Sequence, residues 1–512
     1  MQAYEMVPLP VRAPRVRRQA ALSPIDLLEP ILLLLVAPLV LAPERFAPKT
    51  IGLGLALLLL PYLLRWIFYG APSVSTLADL PLILLFCVVT PISLWVTPYF
   101  WEKSWPELVR MLWGGAVMLA VINWAVPLWR RVDHTPAAHY RLHPRLWLLT
   151  FAYVGVSVAL ALVGLLNMNV MTKIPFVEQA AAQIRQIEVS RLTLAEQFNP
   201  NRVAAALVMV VPLPLAFLLS GGRNRPPVTN MVTEGAPLRR KRRLGVVLLQ
   251  MVASGLWRLL GKTFWLALWL FFAGGLLLTQ SRAGLLAAAV GTLVVLLCTW
   301  RQPDGWLRLV GGLFLILFLV GMGYSLLAIE YRDFFQGAVT TLDSTSQKMV
   351  NTASFSGRLI IWQRALHGIA DQPLTGMGLA AFDQIAHEPY PLAGFIPGDI
   401  HHAHNLFLQT GLDFGLPGMI LFLAIVVLAA TSLISLYRAV PPDGQLSVWA
   451  IAMLGCFVAF LLYNLLDALT LGARPAVALW FLLGLALSAR RQVAEKTQSV
   501  DVPHQPYQLQ VY

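Results

Sequence analysis

Four clusters of polar residues stand in or beside long apolar runs of this 512-residue chain, and their types suit phosphate binding and proton transfer. Arg282 lies in LLLTQSRAGLLAA, between two apolar runs with almost no loop to join them. Arg358 opens the stretch SGRLIIWQRALHGI. His401, His402, His404 and Asn405 precede another apolar run, down which Gln409 and Asp413 follow at four-residue spacing. Asn199-Pro200-Asn201-Arg202 stands at the start of a fourth. A guanidinium stays protonated and offers paired donors to phosphate oxygens. A neutral imidazole, with an ordinary pKa of about 6.5, takes a proton from an attacking hydroxyl. Arginines with a histidine therefore fit a displacement in which negative charge grows on a phosphate leaving group.

Each cluster also has a plainer reading. Arg282 could be snorkelling to lipid headgroups, and Arg358 could be a solvated charge on an amphipathic loop helix. Asn and Pro suit a helix start, so capping accounts for much of Asn199–Arg202. Three histidines invite a zinc site, but HHAH holds no i,i+4 pair and no cysteine lies near it. A single base, His404, is the more economical reading, with no metal and no cofactor. The stripe Asn405, Gln409, Asp413 occupies one helix face, which turns inward toward a wet cavity or hydrogen-bonds a neighbouring helix.

The elements that must position these residues follow from composition. The chain is 58% hydrophobic and 12% charged, against roughly 25% charged in soluble domains, so its excess apolar surface must face lipid. Only helices are expected to cross, because unpaired backbone is too costly in hydrocarbon. With roughly 20 apolar residues needed per crossing, the candidates are 27–43, 50–69, 78–97, 107–129, 146–166, 202–220, 263–279, 283–299, 308–329, 405–436, 446–466 and 475–489. The expected fold is all-α: a polytopic bundle of about twelve spans with short helices in one large loop. The run after Arg12, Arg15, Arg17 and Arg18 has no small-residue cleavage site and reads as a retained first span.

Basic residues orient the bundle. With the N-terminus cytoplasmic, alternate connections place 24 of the 38 Lys and Arg inside, including Arg130, Arg131 and the run Arg239–Arg243. This also explains the net charge of +13 without a nucleic-acid partner. The layout is a cytoplasmic segment 1–26, spans over 27–329, an external loop 330–404, spans over 405–490 and a cytoplasmic tail 491–512. Within the first block lie an external loop 167–201 and a basic cytoplasmic insertion 221–262; its apolar stretch 244–260 could be a thirteenth span, which would reverse everything after it, but Arg258 and the Arg-rich run before it favour an interfacial helix. All four polar clusters then fall on the external side. Cys87, Cys298 and Cys456 sit inside apolar runs and make no disulfide or metal pattern. No phosphate-binding nucleotide loop is present.

In order and spacing, three blocks resemble the O-antigen ligase and O-antigen polymerase superfamily: residues 276–297 around Arg282, 356–382 around Arg358, and 404–423 beginning at His404. A weaker fourth block covers 198–219. The resemblance implies a glycosyltransferase that takes a glycan from undecaprenyl diphosphate, works without metal or nucleotide, and sits in a bacterial inner membrane; a one-step displacement there would invert the anomeric centre. By the same resemblance His404 is the functional histidine and Arg282 and Arg358 the functional arginines; Ser281, Asn201, Arg202, Asn405, Gln409 and Asp413 are candidates for supporting roles. The acceptor is lipid A core, a further repeat unit or a protein hydroxyl. The rival class is a lipid-linked glycan transporter or flippase, against which stands the lack of paired broken helices in the two halves.

Overall fold

The computed structural model describes residues 24–96, 101–125, 142–168, 199–220, 240–299, 312, 355–382, 402–442 and 444–500. Every regular element among them is helical. In chain order these are α1 Pro24–Leu41, α2 Pro48–Tyr69, α3 Asp79–Val96, α4 Trp101–Ala125, α5 Pro144–Leu166 and α6 Pro200–Leu219. There follow α7 Arg240–Thr279, α8 Arg282–Thr299, α9 Phe355–Asp371, α10 Leu406–Ala439, α11 Gln445–Leu466 and α12 Ala476–Val500. Ten of the described helices are long and apolar enough to cross a membrane, and α12 has a shorter apolar part, Ala476–Arg490. The ninth expected span, 308–329, lies outside the described residues apart from Gly312, as do His401 and most of the loop 330–404. The stretch 244–260 is helical and continuous with the next span, within α7.

Local sequence sets where the helices start and bend. Proline occupies the first turn of α2, α5 and α6, where its missing N–H costs nothing. His143 and Asn199 cap α5 and α6 through their side chains. Inside α3, Pro91 removes a backbone donor and the ladder loosens into a π-helical segment, Leu84–Val89. At the far end of α6, Lys262 of α7 donates to the last carbonyls, those of Phe217, Leu218 and Ser220.

α4, α6 and α11 are largely buried and form the middle of the bundle, whereas α1, α2 and α7 turn most of their surface outward. α8 and α11 approach through Gly291 and Gly455. A Cβ on Gly291 would meet the Gly455 carbonyl oxygen at 2.6 Å, so only glycine permits this spacing. A buried ion pair fastens the first helices: Arg65 of α2 donates to Glu29 of α1 at 2.6 Å, and Asn123 of α4 donates to the same carboxylate at 3.1 Å.

α10 is kinked where Gly415 takes a left-handed backbone (φ 71°) just before Pro417. The turn after α9 docks into that kink by its backbone: Met377 N donates to the Leu412 carbonyl at 2.6 Å and Leu416 N to the Pro373 carbonyl at 2.7 Å. A Cβ on Gly415 would lie 2.6 Å from the Leu374 carbonyl carbon. Ile361, Ala365 and Ile369 of α9 pack with Phe382, Ala403 and Leu412 in a small core of their own. This core holds the segment carrying Arg358 against the start of α10.

Candidate functional site

The site is built where α10 begins, α11 ends and α9 lies across both. Asn405 caps α10, its Oδ1 accepting from the amides of Phe407 and Leu408, and its Nδ2 donates to the Leu465 carbonyl at the end of α11. This ties the two helix ends together, so the residue before the first cap meets the residue after the second helix. Those residues are His404 and Asp467.

His404 Nδ1 lies 3.0 Å from Asp467 Oδ1. The His404 backbone is left-handed (φ 49°), a conformation that costs a non-glycine residue about 1–2 kcal/mol. It is over-determined by its neighbours: the amide donates to His402 Nδ1 at 3.2 Å, and the carbonyl accepts from Trp362 Nε1 of α9 at 3.3 Å. Strain held this way is characteristic of functional positions. Asp467 Oδ1 also accepts the Ala468 amide at 2.8 Å.

Arg358 brings its guanidinium 3.8 Å from Asp467 Oδ2. That is an ion-pair distance, too long for a hydrogen bond. Both Asp467 Oδ2 and Arg358 Nε are buried with no hydrogen-bond partner among the described residues. Burial pushes the Asp467 carboxyl up, but the His404 hydrogen bond and the charge that His404, His402 and Arg358 bring beside it outweigh burial and hold it at about 2. The carboxylate is therefore a permanent anion between an imidazole and an arginine.

His402 stacks edge-on to His404 at 4.4 Å between ring centroids. Its Nδ1 is 3.9 Å from Asp467 Oδ1, yet accepts the His404 amide, so a proton on a neutral His402 sits at Nε2. His402, His404 and Asp467 are close enough to offer one ligand atom each to a metal ion, within 4.8 Å of one another.

The remaining expected residues divide. Gln409 and Asp413, both buried, form a relay: Gln409 Oε1 accepts the Ala403 amide and Nε2 donates to Asp413 Oδ1, each at 2.8 Å, while the same Asp413 oxygen accepts the Ala380 amide at 3.2 Å. Their stripe therefore faces inward and fastens the loops on either side of the site. Asn201 contributes its carbonyl, which accepts from Tyr463 Oη at 2.6 Å and ties α6 to the last turn of α11. Arg202 is exposed beside His402 and Asp413 at a small cleft. Ser281 caps α8 by accepting the Gly284 amide at 3.3 Å. Arg282 is half-buried at the first turn of α8, after a two-residue hairpin in which Gln280 is left-handed, and has no ion pair or hydrogen bond among the described residues.

Reading the sequence by clusters overlooks Asp467. It stands alone after an apolar run, in LLYNLLDALT, and nothing nearby in sequence announces a partner 63 residues away. The available signal is a carboxylate at the expected external end of a span, the same signal that singles out Arg282.

Residues 266–423 match a protein-family model described as O-antigen ligase. The matched stretch contains Arg282, Arg358, His404, Asn405, Gln409 and Asp413 and stops short of Asp467. Comparison of the chain with curated proteins finds no match.

Proposed function

We propose, from the premise that residues 266–423 form a domain of the O-antigen ligase superfamily, that this chain transfers a glycan from a lipid diphosphate to an acceptor hydroxyl at the outer face of a bacterial inner membrane. The observation that carries this reading is the shared Asp467 carboxylate, with His404 Nδ1 at 3.0 Å on one oxygen and Arg358 at 3.8 Å from the other.

The division of labour follows from that arrangement. Asp467 accepts the Nδ1–H of His404, which leaves Nε2 unprotonated and aimed away as the general base. The acceptor O–H gives its proton to Nε2 as its oxygen bonds to the anomeric carbon. The bond from that carbon to the diphosphate oxygen breaks, and its electron pair leaves with the diphosphate. A single displacement inverts the anomeric centre. Arg358 is assigned the charge growing on the leaving oxygens, a role that its planar, permanently charged fork suits. Arg282 is assigned the same task by its position in the matched domain. The donor is an undecaprenyl-diphosphate glycan and the acceptor lipid A core, a repeat unit or a protein hydroxyl; neither a metal nor a nucleotide takes part.

The test is transfer by the purified full chain in nanodiscs. His404→Ala should lose about 10²–10⁴-fold in rate. A flippase or transporter would keep lipid translocation in the same variant, and that result would sink the transferase reading.

A further inference from the structure

The left-handed backbone of His404 is fixed from both sides. Its own amide donates to His402 Nδ1 at 3.2 Å, a tie that reaches back only two residues. Just before it the Ala403 amide donates to Gln409 Oε1 at 2.8 Å, a tie made with the start of α10. The His404 carbonyl is held differently. It accepts from Trp362 Nε1 at 3.3 Å across 42 residues of chain, and Trp362 belongs to α9. Of these three backbone ties, the indole supplies the one that comes from another helix.

Trp362 stands one helical turn after Arg358, so the two share a face of α9. Arg358 lies 3.8 Å from the Asp467 carboxylate and Trp362 donates to the His404 carbonyl, so one helix face touches both partners of the dyad. That face is seated by Ile361 and Ala365, which pack with Ala403 and Leu412. Ala403 immediately precedes His404, so the same packing brings the indole to the turn.

A left-handed backbone is unfavourable for histidine and persists only where neighbours enforce it. Its φ and ψ set the angle between the two flanking peptides, and the direction of Cβ with it. His402 holds the first of those peptides and Trp362 the second. Without the indole N–H, negative-φ conformers gain population, and they carry the imidazole off Asp467 Oδ1. We propose that Trp362 is a positioning residue for the base, its indole N–H holding the turn that aims the His404 imidazole at Asp467. The inference rests on the transferase reading above and adds that the helix carrying Arg358 also aligns the base.

The experiment uses the full chain in nanodiscs with an undecaprenyl-diphosphate glycan as donor. The acceptor is whichever of lipopolysaccharide core, a second donor molecule and a serine-bearing peptide the wild type uses fastest. Trp362→Phe keeps an aromatic ring and deletes the N–H. It should lower kcat about five- to tenfold, the equilibrium weight of one ordinary hydrogen bond, and leave the donor KM within about twofold. Trp362→benzothienylalanine, with sulfur in place of the N–H on a ring of the same shape, should show the same loss; it keeps the test decisive if phenylalanine lowers the thermal midpoint. Nitrogen NMR on protein carrying isotope-labelled histidine adds a readout that a purely structural role would not move. The signal missing from His404→Ala should report an Nδ1–H ring in the wild type, and in both variants it should shift toward the Nε2–H form that a free imidazole favours. Wild-type kcat in both variants, or an unchanged tautomer signal, would each overturn the positioning role. Those failures leave the dependence on His404 intact. An active His404→Ala variant would instead sink the transferase reading, and the tautomer signal would still report whether the indole holds the ring.

Discussion

Asp467 Oδ1 and His404 Nδ1 meet at 3.0 Å, joining the end of one membrane helix to the start of another across 63 residues of chain. The carboxylate is almost wholly buried and the histidine partly open, so the pair presents one free imidazole nitrogen outward. The predictions follow from that polarity.

Asp467→Asn should cost about 10²–10⁴-fold in transfer, because an amide no longer holds the Nδ1–H tautomer or stabilises the charged ring. Near-normal rates in a folded variant would reduce Asp467 to a structural anion.

The pH dependence of stability reports Asp467. Held at about 2, below the ordinary unfolded value of about 3.9, it stabilises the fold above about pH 4, and that contribution fades as pH falls from there toward 2. The thermal midpoint should therefore fall less across that window in Asp467→Asn than in the wild type; an equal fall in both would argue against the shift.

Arg358→Ala and Arg282→Ala should each lower transfer about 10²–10³-fold. Lysine should rescue poorly at both, since an ammonium lacks the planar fork that pairs with phosphate oxygens. Full activity in a lysine variant would mark that position as a bulk charge.

The triad His402, His404, Asp467 also supports a metal reading, and chelation decides between the two. Transfer should survive EDTA, with His402→Ala and His401→Ala much milder than His404→Ala. Loss in chelator with recovery on adding zinc would make the cluster a metal site.

Arg65→Ala should destabilise the bundle by about 3–5 kcal/mol, because it strands Glu29 without its buried partner. The check is the thermal midpoint in detergent. Replacing Glu29 and Arg65 together by leucine and methionine should recover most of the loss; no recovery would mean that the pair's own attraction dominates.

The helices were legible because lipid imposes length. A run of apolar residues long enough to cross is nearly sufficient to specify a helix, and Pro48, Pro144 and Pro200 mark starts by a local steric rule. One joint was not legible: the sequence reads 244–260 as a helix apart from the next span, whereas no breaker separates the two and α7 runs through. Arg358 and His404 stood out by type alone. Their common partner did not, because a carboxylate 63 residues away leaves no periodic trace.

By itself, then, the sequence marked which segments are long and apolar enough to cross a membrane and which polar residues stand out of place beside them. These depend on transfer energies and charge counts that act residue by residue. Only the tertiary structure decided that Asp467 joins His404 to Arg358, that Gln409 and Asp413 serve as internal ties, and that Glu107 from the first half of the chain shares a cleft with His402 and Asp413. Those outcomes depend on how α4, α9, α10 and α11 pack, through contacts such as Gly415 against the Pro373–Leu374 backbone that tolerate no extra atom. Steric fit between distant segments is a property of the folded whole.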